Sequence, residues 1–196
     1  MIDIIITVVS IALSYYYTAF MHVFANPAPY KYIVVFIVSF LICWAALFIL
    51  FGIICVIISL PVNINKEYAG TSRFYTTLFG LMLEFAGFVS GARVIVNGRD
   101  KIPRKDRFLF VSNHRSNYDP IIQCGEMKLQ PMAFISKRAN FRIPFIRRYM
   151  VRCRYIPLER KNMRNGAEAV MKAARMISSG QSCIGVYPEG TRNTGG

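Results

Sequence analysis

The chain has 196 residues, of which 54% are hydrophobic, and it carries a formal net charge of +14 at pH 7. This length allows one ordinary domain and a smaller additional element, and the hydrophobic share exceeds the roughly 45–50% of soluble domains. The composition therefore argues against an ordinary soluble domain. It favours a membrane-bound protein that acts on anionic partners.

Two long segments near the N-terminus have the composition of membrane helices. Asp, Glu, Lys and Arg are absent from residues 4–30 and 32–65, and about 20 apolar residues suffice to cross a bilayer. We predict helices over Ile4–Phe24 and Tyr32–Leu60, joined by a short turn with two prolines. The first segment lacks the basic start of a cleaved signal peptide. Residues 1–62 are therefore predicted to form a membrane-anchoring hairpin that either spans the bilayer or enters one leaflet.

The charges and cysteines of the chain indicate on which side of the membrane the C-terminal domain lies. Residues 98–164 hold 17 Lys and Arg against 5 Asp and Glu, and positive residues favour the cytoplasmic side, although the rule weakens for long domains. The five cysteines include no Cys-x-x-Cys pair, which is typical of a reducing compartment. We expect the C-terminal domain on the cytoplasmic side of the cell membrane. We interpret the cysteines as buried and inert, including Cys153, which lies among arginines that would lower its pKa.

Strands and helices are predicted to alternate in the rest of the chain. Residues 63–91 form a connecting segment with a helical pattern that suits either a core or a membrane interface. Strands are predicted at RVIV (93–96), FLFVS (108–112), MAFIS (132–136), CRYIPL (153–158) and CIGVY (183–187). A helix over 167–179 is predicted to bury Ala167, Val170, Met171, Ala174 and Ile177. The alternation predicts an α/β domain over 92–196 with a mainly parallel core sheet. Because the chain stops just after a strand and a turn, we expect the C-terminal part of that domain to be missing.

The stretch NHRSNYDP, residues 113–120, holds one of the two histidines of the chain and a carboxylate five positions later. On a helix this spacing would separate the two side chains, so they can meet only on a turn. Asp119 precedes Pro120 and is predicted to be the N-cap of a helix, while His114 follows a strand, where ligands bind in α/β sheets. A carboxylate on one imidazole nitrogen leaves the other free to act as a general base. Such spacing also arises by chance in polar loops, so the pair needs support from elsewhere.

A run of basic residues lies downstream of this pair. Residues 137–158 contain seven Lys and Arg and no acid. We interpret most of them as a face held to anionic lipid, with some available to bind a substrate phosphate through bidentate contacts. Nucleic acid would also suit the charge, but the chain shows no nucleic-acid-binding motif, and we expect no nucleic-acid partner.

The stretch YPEGTR, residues 187–192, predicts an anion-binding turn. Pro188 and Gly190 fit the second and fourth positions of a type I turn. The backbone N–H groups of Gly190 and Thr191, together with Arg192, would form a concave site for an anion. Alone, the stretch suits an ordinary surface turn. Combined with the His–Asp pair and the basic run, it favours a phosphate site.

Three stretches in this order, NHRSNYD, YIPLER and YPEGTR, resemble blocks of the membrane glycerolipid acyltransferases. Within them the chain is most similar to the 1-acyl-sn-glycerol-3-phosphate acyltransferase family, the lysophosphatidate acyltransferases of the PlsC type. Asn113, His114 and Asp119 match the family's Asn-His-x4-Asp block, and residues 188–192 match its Phe-Pro-Glu-Gly-Thr-Arg block with Tyr187 in place of Phe. The resemblance covers about residues 71–196.

The chain departs from the family pattern at a few positions. Glu159 and Arg160 stand where the family usually has Asp-Arg, and Arg147 and Arg154 stand where it often has glycines. The family's Lys-x-Glu-Leu is here Lys-Arg-Ala-Asn, from position 137, and its last block is absent. These differences bear on acceptor preference and acyl-chain length rather than on the chemistry.

The resemblance implies transfer of a fatty acyl group from an acyl thioester, on coenzyme A or acyl carrier protein, to the sn-2 hydroxyl of lysophosphatidic acid. The product would be phosphatidic acid, formed in phospholipid biosynthesis. The resemblance implies His114 as the general base, Asp119 as the group that orients it, and Asn113 as a supporting residue. The residues implied to bind the acceptor are Lys137, Arg160, Glu189, Gly190, Thr191 and Arg192. Neither a metal nor a cofactor other than the acyl donor is implied, and two distant histidines with scattered cysteines do not make a zinc site.

Two alternatives stay open from the sequence. In the first, the chemistry is the same and the acceptor is glycerol 3-phosphate or another lysophospholipid. In the second, the protein is a non-catalytic membrane protein whose basic face binds anionic lipid. The two differ in whether His114 is needed for function.

Overall fold

A computed structural model describes residues 2–25, 28–159 and 163–190 of the chain. The chain forms two compact units, Met1–Ile58 and Ser59–Gly196. The segment predicted as a connector, residues 63–91, lies within the second unit.

The first unit is a pair of long apolar helices. They are α1 (Ile2–Ala25) and α2 (Pro29–Ser59). Trp44 Nε1 donates a hydrogen bond to Thr7 Oγ1 over 3.4 Å, and the rings of His22 and Tyr32 stack 4.9 Å apart, so the helices run antiparallel. By length and composition both helices suffice to cross a membrane, and in the more apolar one only 6% of its most apolar stretch is buried in protein. The predicted helical hairpin is therefore confirmed.

In the described part of the second unit, helices surround a four-stranded sheet. Its strands are β1 (Leu109–Val111), β2 (Met132–Lys137), β3 (Ile156–Leu158) and β4 (Cys183–Val186). Its α-helices are α3 (Arg73–Val89), α4 (Asp119–Glu126), α5 (Pro144–Arg152) and α6 (Met163–Ser178). The strand order is β1–β4–β2–β3 and every pairing is parallel. The prediction of an α/β fold with a mainly parallel sheet is confirmed.

Close helix packing holds α4 in place beside the sheet. Helix α3 begins after Ser72, whose hydroxyl accepts a hydrogen bond from the Tyr75 N–H. A Cβ on Gly125 of α4 would lie 3.0 Å from the Glu84 Cα of α3, so the glycine allows the two backbones to approach. An ion pair of 2.9 Å between Lys128 and Glu84 also joins α3 to the chain just after α4. This packing fixes the helix that carries Asp119 at its first turn.

Two local predictions are wrong. The stretch RVIV, residues 93–96, forms no strand, and its Ile95 is 85% exposed. Its composition suits a strand, but a strand also needs a neighbour for its N–H and C=O groups, and the sheet provides none at this place. In α6, the buried residues are Ala169, Ala173 and Met176. Of the predicted stripe, only Ile177 packs half-buried against the core, and the other four residues, Ala167, Val170, Met171 and Ala174, are exposed. Both stripes have helical spacing. The observed one packs its alanines against β2 and β4 at Ala133 and Ile184.

Candidate active site

The two motif stretches meet at the carboxyl edge of the sheet. Strands β1 and β4 are parallel neighbours, with Val111 opposite Val186. The Ser112 N–H extends this ladder by donating to the Val186 carbonyl over 3.3 Å. His114 follows β1 by three residues and Tyr187 follows β4 directly, so the sheet itself brings the two stretches together.

His114 and Asp119 form a hydrogen-bonded pair on this edge. His114 Nδ1 lies 3.1 Å from Asp119 Oδ2, and the side chains are 15% and 23% exposed. The same carboxylate oxygen accepts the backbone N–H groups of Arg115 at 2.7 Å and Ser116 at 2.8 Å. Because Nδ1 faces the carboxylate, Nε2 is the nitrogen left to accept a proton from a substrate.

The predicted capping role of Asp119 is wrong. The N-cap of α4 is Tyr118, the helix begins at Asp119 itself, and Pro120 lies in its first turn. The Asp119 carboxylate turns back to the preceding loop, where the Arg115 and Ser116 N–H groups meet it. The prediction failed because two loop donors and the imidazole compete with the helix for the same side chain.

These hydrogen bonds keep Asp119 ionised. Partial burial acts to raise its pKa, but hydrogen bonds from the Ser116 N–H, His114 and the Arg115 N–H outweigh it, and the net pKa lies below the ordinary value. A charged carboxylate holds the imidazole in one orientation and stabilises its protonated form. The pair is thus arranged to take up a proton at Nε2.

The ring of Tyr187 lies against the imidazole, a contact that sequence reasoning missed. The two rings stack with centroids 4.5 Å apart and planes 29° apart. The Tyr187 hydroxyl donates to Gln123 Oε1 over 2.5 Å, and Gln123 Nε2 donates to Ser112 Oγ over 2.9 Å. Burial raises the pKa of the Tyr187 phenol, which therefore remains a neutral donor. The sequence carries no signal for this contact, because it depends on β1 and β4 being neighbours in the sheet.

The turn after β4 forms as its sequence predicts, but the Gly190 N–H that was predicted to bind an anion is used to close it. The Gly190 N–H donates to the Tyr187 carbonyl over 3.0 Å, which closes a four-residue turn with Pro188 in its second position. Gly190 has a φ of 65°, a conformation that glycine adopts without strain. Glu189 is exposed on this turn. The turn lies beside His114, because β4 is the neighbour of β1.

The structure describes only some of the remaining predicted site residues. Lys137 is exposed at the end of β2, on the same edge as His114 and with β4 between. Asn113 is exposed just after β1. The predicted acceptor residues Arg160, Thr191 and Arg192 lie outside the described residues.

The arginines of the basic run have two kinds of surroundings. Some of its arginines bind backbone carbonyls of the segment that follows α2. Arg148 donates to the Leu60 carbonyl over 2.8 Å and to the Val62 carbonyl over 3.0 Å, and Arg152 donates to the Gly70 carbonyl over 3.1 Å. Others line a cavity of about 520 Å³ beside β3. We expected most of the run to face anionic lipid and some of it to bind a phosphate; the arginines with carbonyl partners instead join α5 to the segment after α2.

The buried thiols of the second unit are not poised for nucleophilic chemistry. Burial raises the pKa of both Cys124 and Cys153 to about 12, so each stays protonated at neutral pH. For Cys153, burial outweighs the lowering effect of the neighbouring Arg152. The interpretation of these cysteines as buried, inert groups agrees with their surroundings.

Comparisons with known proteins give the family. The model of the acyltransferase family matches residues 93–196. The 1-acyl-sn-glycerol-3-phosphate acyltransferase of Borreliella burgdorferi is 34% identical over 109 residues, which are 56% of this chain and 43% of the relative. The enzyme of the same name from Streptococcus pneumoniae is 25% identical over 133 residues, which are 67% and 49% of the two chains. The chain therefore spans slightly less than half the length of these relatives.

A solved structure supports the fold. The crystal structure of the 1-acyl-sn-glycerophosphate acyltransferase PlsC from Thermotoga maritima matches with a TM-score of 0.52 and 19% identity. The match covers 97% of this chain and 64% of that chain. At this identity the likeness shows a shared fold.

Proposed function

This chain belongs to the acyltransferase family, and from that premise we propose that it moves a fatty acyl group from an acyl thioester to the sn-2 hydroxyl of lysophosphatidic acid. The observation that carries the proposal is the His114–Asp119 pair, joined over 3.1 Å at the carboxyl edge of the sheet. The relatives named for this activity support it, as does the match of the family over residues 93–196. The product would be phosphatidic acid.

The proposed chemistry begins with a proton transfer. His114 Nε2 removes the proton of the acceptor hydroxyl as its oxygen attacks the thioester carbonyl carbon. The Asp119 carboxylate orients the ring and stabilises the imidazolium that forms. When the tetrahedral intermediate collapses, the carbon–sulfur bond breaks and the imidazolium returns the proton to the leaving thiolate. The acceptor hydroxyl is itself the nucleophile, so the reaction as proposed requires neither an enzyme nucleophile nor a metal or cofactor.

The acceptor phosphate would bind beside this pair. In lysophosphatidic acid the phosphate is attached to the carbon next to the one that bears the reacting hydroxyl, so it must lie close to His114. The Gly190 turn is adjacent to His114, and Lys137 is on the same edge of the sheet. Arg160 and Arg192 stay predicted partners of this phosphate. Arginine and lysine suit the task because their N–H groups form charge-assisted hydrogen bonds to phosphate oxygens.

The two apolar helices would hold the protein at the membrane in which its lipid acceptor resides. The acceptor and the product both carry a long acyl chain and reside in a bilayer, and α1 and α2 are long and apolar enough to anchor the chain there. We expect the second unit on the cytoplasmic side, where the soluble acyl donor is available. The basic balance of residues 98–164 supports this orientation.

Acyl transfer by the full-length protein in detergent micelles tests the proposal. With an acyl-coenzyme A donor, we expect lysophosphatidic acid to be acylated far faster than a lysolipid with the same acyl chain and no phosphate. His114→Ala should lower the transfer rate by about 10²- to 10⁴-fold, the range that a positioned general base contributes, while the protein keeps its fold and its binding to anionic vesicles. Equal rates with both acceptors would refute the phosphate site. A wild-type protein without transferase activity toward any acceptor, with acyl-coenzyme A or acyl carrier protein as donor, would favour the non-catalytic lipid-binding alternative.

A panel of phosphate-bearing acceptors separates the closer alternatives. The panel contains lysophosphatidic acid, glycerol 3-phosphate and a lysophospholipid with a larger head group. The proposal predicts the highest kcat/KM for lysophosphatidic acid. A higher value for either of the others would keep the chemistry of His114 and change the assigned acceptor.

A further inference from the structure

A cavity of about 520 Å³ lies at the β3 end of the second unit, away from the His114–Asp119 pair. Helix α5, the short 3-10 helix at Arg138–Arg142, β3, α6 and the segment after α2 all contribute to its wall. Among the described residues, six basic side chains and one acid line it. The basic residues are Lys66, Arg138, Arg142, Arg147, Arg154 and Lys172. We call this space the cationic cavity.

Few of the positive charges in the cationic cavity are paired with an acidic side chain. Its one acid, Glu67, is paired with Lys172 at 2.5 Å. Arg138 is 3.9 Å from Glu159, and both of these side chains are more than half exposed. Within the part of the chain that the structure describes, the guanidinium groups of Arg142 and Arg147 have neither an ion pair nor a hydrogen bond. Arg147 is also half-buried.

One wall residue is held in an unusual backbone conformation. Arg154 has a φ of 60°, the only positive φ among the described residues other than glycine. Its guanidinium donates to the Ala69 carbonyl over 3.1 Å and to the Gln181 side chain. Side chains with a Cβ rarely adopt this conformation unless their surroundings determine it, and such residues concentrate at ligand sites. Its surroundings thus hold Arg154 in place in the wall of the cationic cavity.

The position of the cationic cavity excludes the acceptor phosphate as its ligand. Strand β3 lies three places from β1 in the sheet, which is roughly 14 Å at about 4.8 Å for each step. A phosphate one carbon away from the reacting hydroxyl cannot occupy this cavity while the hydroxyl contacts His114. A ligand of this cavity that takes part in the reaction must carry its phosphate far from the reacting atoms.

The acyl donor has this property, and the cationic cavity reaches the edge of the sheet on which His114 lies. Arg138, Phe141 and Arg142 follow the carboxyl end of β2, so this part of the cationic cavity lies on the same edge of the parallel sheet as His114. Arg154 precedes β3 and lines the cavity toward the opposite edge. In coenzyme A and in acyl carrier protein alike, a long, extended pantetheine chain separates the thioester from a phosphate group. The shared chemistry is a phosphate at the far end of a pantetheine chain.

Building on the proposed acyl transfer, we propose that the cationic cavity binds the pantetheine-linked phosphate of the acyl donor. Arg142 and Arg147 supply the hydrogen bonds, since their guanidinium groups lack protein partners among the described residues. Arg138 and Lys66 add favourable charge at the rim. The donor thus lies along the carboxyl edge, with its phosphate at β3 and its thioester at His114.

Binding of coenzyme A to the full-length protein in micelles, measured by isothermal titration calorimetry, tests this site without turnover. Coenzyme A should bind, and pantetheine, which lacks phosphate, should not bind measurably. The double variant Arg142→Ala/Arg147→Ala should weaken coenzyme A binding about tenfold or more, as expected for lost hydrogen bonds to a charged group. The control Arg104→Ala/Arg164→Ala removes the same charge outside the cavity and should leave binding unchanged.

Steady-state kinetics of the same variants identify the substrate. We expect Arg142→Ala/Arg147→Ala to raise the donor KM about tenfold and to leave kcat and the acceptor KM nearly unchanged. Unchanged coenzyme A affinity and donor KM in the double variant would overturn the proposal even if the wild-type protein is an active transferase. A rise in the acceptor KM alone would overturn it as well. A wild-type protein with no activity would instead count against the proposed function.

Two further arms separate the sources of phosphate. A larger effect of the double variant on KM for acyl carrier protein than for acyl-coenzyme A would support the site with the protein-bound donor. Loss of binding to vesicles that contain anionic phospholipid, with coenzyme A affinity unchanged, would assign the cavity to a lipid headgroup and overturn the proposal.

Discussion

The two ends of the sheet's carboxyl edge carry opposite electrostatic arrangements. At the β1–β4 end, the Asp119 carboxylate accepts hydrogen bonds from His114 and two backbone N–H groups, and Tyr187 packs on the imidazole. At the β3 end, Arg142 and Arg147 face a cavity without partners among the described residues. The charged groups at the β1–β4 end have partners within the protein, whereas the two guanidinium groups at the β3 end have none among the described residues.

This difference distinguishes residues that act in the chemical step from residues that bind a substrate. A base must be oriented before the substrate arrives, so its partners belong to the protein. A site for an anion keeps its donors free, because a protein carboxylate in that place would compete with the ligand. Residues whose partners are internal should therefore affect kcat or stability. Residues without partners should affect the KM of one substrate.

The largest expected effect is at the paired end. Asp119→Asn keeps the shape of the side chain but removes the charge that orients His114 and stabilises the imidazolium. We expect kcat to fall by about 10²- to 10⁴-fold, the range that a positioned general base contributes. Acyl-transfer kinetics at saturating substrates measure this. The matched control Asp106→Asn alters an exposed acid before β1 and should change kcat by less than about twofold. A kcat near wild type for Asp119→Asn would mean that the carboxylate has no catalytic part.

A smaller effect distinguishes two neighbouring arginines. Arg148→Ala removes two hydrogen bonds to the Leu60 and Val62 carbonyls. Because these bonds are partly exposed to solvent, we expect the free energy of unfolding to fall by about 1–2 kcal/mol. Arg147→Ala should change it by less than about 0.5 kcal/mol, since its guanidinium has no partner among the described residues. Chemical denaturation of both variants in the same detergent gives the comparison. Equal losses would remove the distinction between structural and ligand-binding arginines in this run.

The smallest effect concerns the ring beside His114. Tyr187→Phe keeps the stacked ring but removes the hydroxyl that donates to Gln123. We expect a loss of stability of about 1 kcal/mol and a kcat within about threefold of wild type, because the imidazole keeps its contact. Tyr187→Leu removes the aromatic stack and should lower kcat further. If Tyr187→Phe reduced kcat as much as Asp119→Asn, the hydroxyl rather than the ring would support the base.

The local pattern of the sequence was sufficient for much of the fold. The charge-free stretches predicted both apolar helices, and the alternation of strands and helices predicted the parallel sheet. The failed predictions for RVIV and for the buried face of α6 have a common cause, the position of neighbouring elements. RVIV has the composition of a strand, but whether it pairs depends on a neighbour that the sequence does not reveal. In α6 two apolar stripes have the same spacing, and only the position of the sheet decides which is buried.

The candidate site was predictable where its residues are close in sequence. Five positions on a turn were enough to predict that His114 and Asp119 would meet. The stack of Tyr187 on His114 could not be predicted, because it depends on β1 and β4 being neighbours. The cationic cavity was also hidden, since Lys66 and Lys172 come from segments far from the basic run. Most of that run was interpreted as a lipid-facing surface, because the sequence shows its charges but not the carbonyl groups that some of its arginines bind.

The central claim is that His114 and Asp119 act as one unit in acyl transfer. It is tested most directly by kcat for His114→Ala, Asp119→Asn and the double variant, measured on folded full-length protein. If Asp119 acts only through the imidazole, its substitution has nothing further to remove once His114 is gone. We therefore predict that the double variant has the same residual kcat as His114→Ala. A further loss in the double variant as large as that of Asp119→Asn alone would contradict the account.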